Sequence, residues 1–594
     1  MYTQKPAREA PVPHLLQSQP DLSHPSVPYE PVLNIENIQG NNLAGFNKDF
    51  QTFLFLKIVD VHDFKHWLKS VVPFIATAAE VLAFNRLFKE IRKRRGESRA
   101  VQATWINIAF SFNAITQLTD DADAFEDEAF KQGLAARSEE LGDPTEPDAE
   151  GNKHNWVFGS PHNEADVMLI VASDDRNDLF AEVARIEDSI YAARTPDGKP
   201  TSSGVQIIYK QHGATLPPPL KGHEHFGFLD GVSQPGLRGR LSENHYDVLT
   251  PRQNPNNPNQ GKPGQDLLWP GEFVFGYPGQ DGKKEVEEPG DIVNAGPAWA
   301  KDGSFLVMRR LRQDVPGFKK FQHETAKQLG IESGLFGAKC VGRWASGAPI
   351  MLAPEKDDTK LADNDCANNN FEFRGEGETE ANKAEHKPHQ NKQGEGLCPG
   401  NLPEAPPDRE GKICPFAGHI RKAYPRDDEF ESGEGLNESS TQTHRLLRRG
   451  IPFGDPYQPS EDPSAKDSGD RGLLFLAYQT SIVDQFEFVT KLWVNNPDFK
   501  EPGSGHDPIL GQNNTPGENR QRKFKLTFKT QDGSDRTTEV CLDADWVIPT
   551  GGGYFFSPSI AALNLFSKTQ STAHQELTPE EYTAAVEQNI PDRD

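Results

Sequence analysis

The sequence predicts an α+β fold built from two copies of one unit, and three observations predict it. Short apolar runs rich in β-branched and aromatic residues alternate with stretches of helical period through the first 235 residues. The same order of elements returns after residue 300. A polar stretch near 354–412 interrupts the second copy and is too poor in apolar residues to build a core of its own.

Residues 1–40, rich in Pro, Gln and Ser, read as an extended arm. The run Phe53–Val59 predicts the first strand, and helical periodicity follows over 61–94. A strand and a helix start are expected over 104–118, a third strand over 165–175 with a helix over 177–193, and a fourth strand over 204–214. Strand–helix–strand repeated in this way is the split βαβ pattern of a ferredoxin-like unit. In the second half, 304–321 echoes 52–67, each with an apolar strand, Asp-Val and a helix carrying Phe-Lys. Residues 471–493 echo 165–186, and 552–563 supply a last strand and short helix. The expected division is an arm over 1–40, a first ferredoxin-like unit over 41–235 and a second over 236–594. The insertion 354–412 is expected to wrap the surface of the second.

A chain of 594 residues exceeds one core. Hydrophobic residues make up 35%, against 51 glycines and 47 prolines, which implies long loops around compact cores. The net charge of −25 disfavours nucleic acid and anionic membranes as partners. Five cysteines with no CxxC pair encode neither a disulfide framework nor a zinc site. No apolar run has the length of a membrane span, and the N-terminus lacks the apolar core of a signal peptide, so a cytoplasmic location is expected.

Three stretches carry chemistry. In CPFAGHIRKAYPRDD (414–428), His419 sits among small and apolar neighbours and is followed by Arg421, Lys422 and Arg426. An imidazole beside cations suits an anionic macrocycle with a metal at its centre, and fits a solvated helix end equally. In HEHFGFLDGVSQPG (223–236), Asp230 stands between Gly227 and Gly231, as a carboxylate reaching toward a flat ligand or as an ordinary Asp-Gly turn. His223 and His225 lack neighbours that would complete a metal-ligand set. In HRLLRRGIPFG (444–454), Arg445, Arg448 and Arg449 lie on an apolar run, either as guanidiniums buried against an anion or a polarised oxygen or as a surface basic patch.

Taken together, the chain resembles the dye-decolourising peroxidases, a haem enzyme family. The likeness runs from 34–56 to 551–563 and rests on three motifs in the family's order: Gly-x-x-Asp-Gly, CPFAGHIRK and RRGIPFG. The long arm and insertion resemble its larger subgroup. The resemblance implies two ferredoxin-like halves of the dimeric α/β-barrel type, with one haem b and its iron held by the second half. It implies His419 as axial ligand, Asp230 as distal acid–base and Arg448, first of the RRG pair, as distal arginine. Asp507 would accept the other N–H of His419, and Leu473 and Phe475 would cover the distal face. Arg421 and Arg426 would contact the propionates, and Trp493 would be a partly exposed site of electron transfer. Phe453 stands where some relatives carry tyrosine.

The implied activity is oxidation of bulky dyes and phenolic or aromatic substrates by hydrogen peroxide, through a ferryl intermediate. The alternative is a haem carrier without catalysis on the same scaffold, for which Asp230 and Arg448 together would be unnecessary.

Overall fold

The structure is a computed structural model and describes residues 30–95, 101–192, 201–375, 396–428, 438–459 and 469–568. Four strands come from the first half: β1 Phe50–Ile58, β2 Thr104–Phe110, β3 Val167–Ser173 and β4 Val205–Ala214. Next come short β5 Gly236–Leu237 and β6 Leu267–Leu268, then β7 Ser304–Gln313, β8 Leu447–Arg448, β9 Ile451–Phe453 and β10 Gly472–Gln479. The chain ends with β11 Arg522–Lys529, β12 Asp535–Leu542 and β13 Val547–Ser557.

Nine of these form one sheet in the order β4-β1-β3-β2-β13-β7-β10-β8, with β9 also on β10. The halves meet where β13 pairs with β2 at Phe556 and Phe110. The two ends of this order come together: a Cβ on Gly213 of β4 would lie 2.7 Å from Ile451 Cγ2 on β9. The sheet therefore curls into a barrel with a glycine at its seam.

Both faces of the inner strands β1 and β3 are buried, which explains why these read as apolar runs, whereas β4 is mostly half-buried or exposed and carries polar residues. On β1, Leu54 and Leu56 pack in one cluster and Phe53 and Phe55 in another. Helix Val61–Val71 buries Phe64, Trp67, Leu68 and Val71, the i, i+3, i+4, i+7 face, and starts where Asp60 accepts from Asp63 N. Pro73 interrupts the predicted helical stretch, which resumes as Ala78–Arg95.

Four expectations are corrected. Residues 30–40 of the predicted arm are packed: Asn34 and Asn37 donate to Asp302, and Gln39 donates to the carbonyls of Ile108 and Pro558. Residues 1–29 lie outside the described ones. The hairpin β11–β12 was not predicted, although Phe524, Leu526 and Phe528 alternate inward along it. The insertion does more than wrap the surface, because Phe371 and Phe373 pack with Trp344, Ile350 and Cys414. Finally, Cys366 and Cys398 form a disulfide across 32 residues, within the segment whose few apolar residues leave it in need of such a tie.

Candidate active site

Helix His419–Ala423 begins at the histidine itself. Gly342, at φ +94°, lets this turn dock, since a Cβ there would meet Ile420 Cγ1 at 2.3 Å. His419 Nδ1 donates to Asp507 Oδ2 at 2.7 Å. Asp507 is fully buried, and its other oxygen accepts from the backbone N–H of Ile509 at 2.7 Å and of Leu510 at 3.1 Å. Burial works against a charge on the His419 ring, yet the charge and hydrogen bond of Asp507, helped by Asp230, raise its pKa on balance. With Nδ1 engaged, Nε2 is the nitrogen that faces a large cavity between the helices and the sheet.

His419, Asp230, Arg448, Arg426, Leu473 and Phe475 all line that cavity. Leu473 and Phe475 come from alternate positions of β10 and so share a face. Arg448 sits on β8 opposite Ala477, and its Nη2 donates to the carbonyl of Ser233 at 2.6 Å, tying the strand to the Asp230 loop. Arg449 turns the other way and donates to the carbonyls of Asn41, Asn42 and Leu43. Gly227 takes φ +97°, a conformation that favours glycine, whereas among the described residues nothing lies within 4 Å of a Cβ placed on Gly231.

Two expectations fail on geometry. Arg421 is fully buried away from the cavity, donating to Asp428 at 2.7 Å and Asp408 at 3.1 Å and stacked between Phe373 and Phe416. Trp493 is 2% exposed rather than partly open, with its ring stacked on Phe499 and edge-on to His444 and Phe488.

The structure adds residues that the sequence did not single out. Fully buried Arg343, in the run VGRWASGAPI (341–350), lines the cavity and leaves its Nε without a partner among the described residues. Burial and the nearby Arg426 push its pKa down to about 9, against the pull of Asp230. Glu224, in the quoted HEHFGF, accepts from the backbone N–H of Phe226 and Phe228 at 2.7 and 2.8 Å and from Gln313. Burial and the Asp230 charge push it up to about 7. His225 is buried and donates through Nε2 to the carbonyl of Phe453, and among the described residues no cluster of three or more His, Cys, Asp or Glu could hold a bare metal ion.

The donor set suits haem. One nitrogen of a fixed imidazole faces a cavity walled by Leu473, Phe475, Ile509 and Leu510, with Arg343, Arg426 and Arg448 at hand for carboxylates. One adjustment is needed. Asp230 Oδ2 lies 3.8 Å from His419 Nε2, too close for a macrocycle to lie between them, so the Asp230 side chain has to turn aside. It is 30% exposed, which leaves it room to do so.

The family model of the DyP dimeric alpha+beta barrel domain matches residues 37–200. Peroxidase 2 of Mycetinis scorodonius is 32% identical over 540 residues, 89% of this chain and 87% of its own. The chain belongs to the dye-decolourising peroxidases. A dye-decolorizing peroxidase of Mycena epipterygia is 31% identical over 90% of this chain and 86% of its own. An ancestral D-type dye decolorizing peroxidase superposes with a TM-score of 0.68 at 34% identity, covering 90% of this chain and 98% of its own. As a dye-decolourising peroxidase the chain is an oxidoreductase with the α+β barrel of that family. Among its described residues no helix is long and apolar enough to cross a membrane.

Proposed function

We propose that the chain holds one haem b in this cavity, with His419 Nε2 on the iron, and uses hydrogen peroxide to oxidise bulky aromatic reductants. The observation that carries this reading is the His419–Asp507 hydrogen bond, which aims a single ring nitrogen at a cavity shared with Asp230 and Arg448. When bound, haem would supply a redox-active iron at which peroxide is reduced and reductants are oxidised.

The protein's own residues prepare the reaction. Asp507 fixes the His419 tautomer and makes the ring a stronger donor. Asp230 takes a proton from entering peroxide and returns it to the oxygen that leaves as water. Arg448 donates to the same oxygen and stabilises the charge that gathers there. Leu473 and Phe475 keep water from this face. Arg343 and Arg426 hold the propionates, in place of the Arg421 and Arg426 pair. Trp493, buried as it is, serves as an internal relay for electrons from dyes too large to enter.

The cytoplasmic expectation stands against the Cys366–Cys398 disulfide, which favours an oxidising compartment. The decisive experiment for the activity is an absorption spectrum of haem-loaded protein before and after one equivalent of peroxide. A rapid, reversible change of the Soret band with dye turnover supports the peroxidase. Slow bleaching alone would favour a haem carrier, and no Soret band at all would remove haem from the account.

A further inference from the structure

Tyr424 is the only tyrosine among the residues that line the cavity, within the described residues. It follows helix His419–Ala423, and its hydroxyl donates to Asp266 Oδ2. The same carboxylate oxygen accepts from Arg445 Nη1 at 2.8 Å. The Arg445 guanidinium lies 3.5 Å from the centre of the Tyr424 ring, and that of Arg426 lies 5.5 Å away. The phenol thus has one face against a cation, its O–H aimed at a carboxylate and a place in the cavity wall.

Other aromatic groups lack this combination. Tyr478 receives a hydrogen bond from Asn41 and touches no carboxylate in that bond. Tyr554 donates to Glu487 but stands outside the cavity, behind the ring of Phe486. Trp493 lies behind His444 and Phe488.

We infer that Tyr424 is a redox-active residue of this peroxidase, which gives an electron to the oxidised cofactor while its phenolic proton passes to Asp266. The inference rests on the haem reading above. The step balances: one electron leaves the ring, the O–H bond of Tyr424 breaks, and a bond forms between that proton and Asp266 Oδ2. The product is a neutral tyrosyl radical beside a neutral carboxylic acid. A reducing substrate then supplies one electron, and Asp266 returns the proton.

Physical chemistry favours the coupled route over loss of an electron alone. A phenol cation radical would sit against the Arg445 charge, and repulsion at 3.5 Å in a buried site is costly. Moving the proton to Asp266 removes the charge from the ring. Proton loss before oxidation is equally disfavoured, since burial holds the Tyr424 pKa well above its usual value despite Arg445. Electron and proton therefore leave together, with Asp266 as the base already in place.

The test is electron paramagnetic resonance on haem-loaded protein frozen shortly after mixing with peroxide. The parent should give a tyrosyl signal whose hyperfine pattern narrows when the protein carries ring- and β-deuterated tyrosine. Tyr424→Phe should lose that signal while still showing the rapid optical change on peroxide addition. Asp266→Asn, which keeps the shape and removes the base, should lower the radical yield; urea unfolding reports whether it folds as the parent does. A tyrosyl signal undiminished in Tyr424→Phe overturns the inference. So does a loaded parent that reacts with peroxide and yields no tyrosyl radical. Protein that takes up no haem fails earlier, at the reading of the cavity, and is told apart by its missing Soret band.

Discussion

Asp507 Oδ2 accepts from His419 Nδ1 at 2.7 Å while its partner oxygen is fixed by two backbone N–H groups of residues 509 and 510. The carboxylate therefore cannot turn away from the imidazole without abandoning both. Orientation of the ring and its basicity are set by one buried group. Asp507→Asn should keep the shape, weaken haem affinity or the peroxide reaction by about 10–100-fold, and raise the haem reduction potential. Haem titration and a spectroelectrochemical measurement check this, and an unchanged potential would show that the hydrogen bond transmits nothing to the metal.

The distal pair should act on the peroxide step. Arg448→Leu and Asp230→Asn are each expected to slow the first optical change by an amount on the order of 3 kcal/mol, the first through loss of a donor aimed at developing charge and the second through loss of the proton carrier. Stopped-flow mixing at several peroxide concentrations measures it. A variant that reacts at the parental rate removes its residue from the catalytic set. His419→Ala should instead abolish tight haem binding.

Arg421 belongs to the framework. Its guanidinium is fully buried between Asp408 and Asp428, so Arg421→Leu takes the bonded cation from both buried carboxylates and leaves Asp408 only the backbone N–H groups of residues 412–414. Loss of about 3–5 kcal/mol of stability is expected, read from the urea midpoint. If the variant were as stable as the parent but bound haem poorly, Arg421 would have to be returned to the propionates.

His225 sets an acid limit on stability. Burial pushes its pKa from 6.5 down to about 4, the hydrogen bond to Phe453 opposing this. His506 is pushed down to about 4 in the same way. Above the ordinary value both folded and unfolded rings are neutral, and stability is complete. As the pH falls toward the folded value, the unfolded chain takes up a proton that the folded one refuses. His225 should then cost the fold on the order of 3 kcal/mol across that window. His225→Gln should flatten the decline of the urea midpoint from neutral to acid pH; an unaltered slope would assign the decline to other groups.

Trp493→Phe should lower turnover of bulky anthraquinone dyes several-fold and leave the peroxide step unchanged, as steady-state and stopped-flow rates would show. Undiminished dye turnover would leave the cavity edge, or another aromatic residue, as the route.

Much of the barrel was legible because both faces of its inner strands are buried. Leu54, Leu56, Phe53 and Phe55 leave no polar alternation to confuse with a loop. The cavity residues on motifs were legible for a different reason, since each lies within a few positions of a glycine or a second arginine that marks it. What stayed hidden depends on distant partners. Arg421 and Arg426 both follow His419 closely, and only the fold reveals that Asp408 and Asp428 claim the first. Arg343 carries no local sign of a site, because its exposure to the cavity is fixed by residues 368–371 of the insertion and by the turn at 347. Trp493 was placed by resemblance alone, and its burial depends on distant rings: on the π-helical turn Val489–Val494 it packs against His444, Phe488 and Phe499, while its neighbour Leu492 is 48% exposed.

The glycine at the barrel seam binds the fates of the two halves. Gly213 is contributed by the first repeat, and the side chain it makes room for, Ile451, lies three residues beyond Arg448 in the second. A larger residue at 213 would wedge β9 outward and drag the arginine with it, although nothing near 213 touches the cavity motifs in sequence. Chimeras that join the first repeat of one relative to the second of another should therefore work only when the residues at this seam are exchanged as a set.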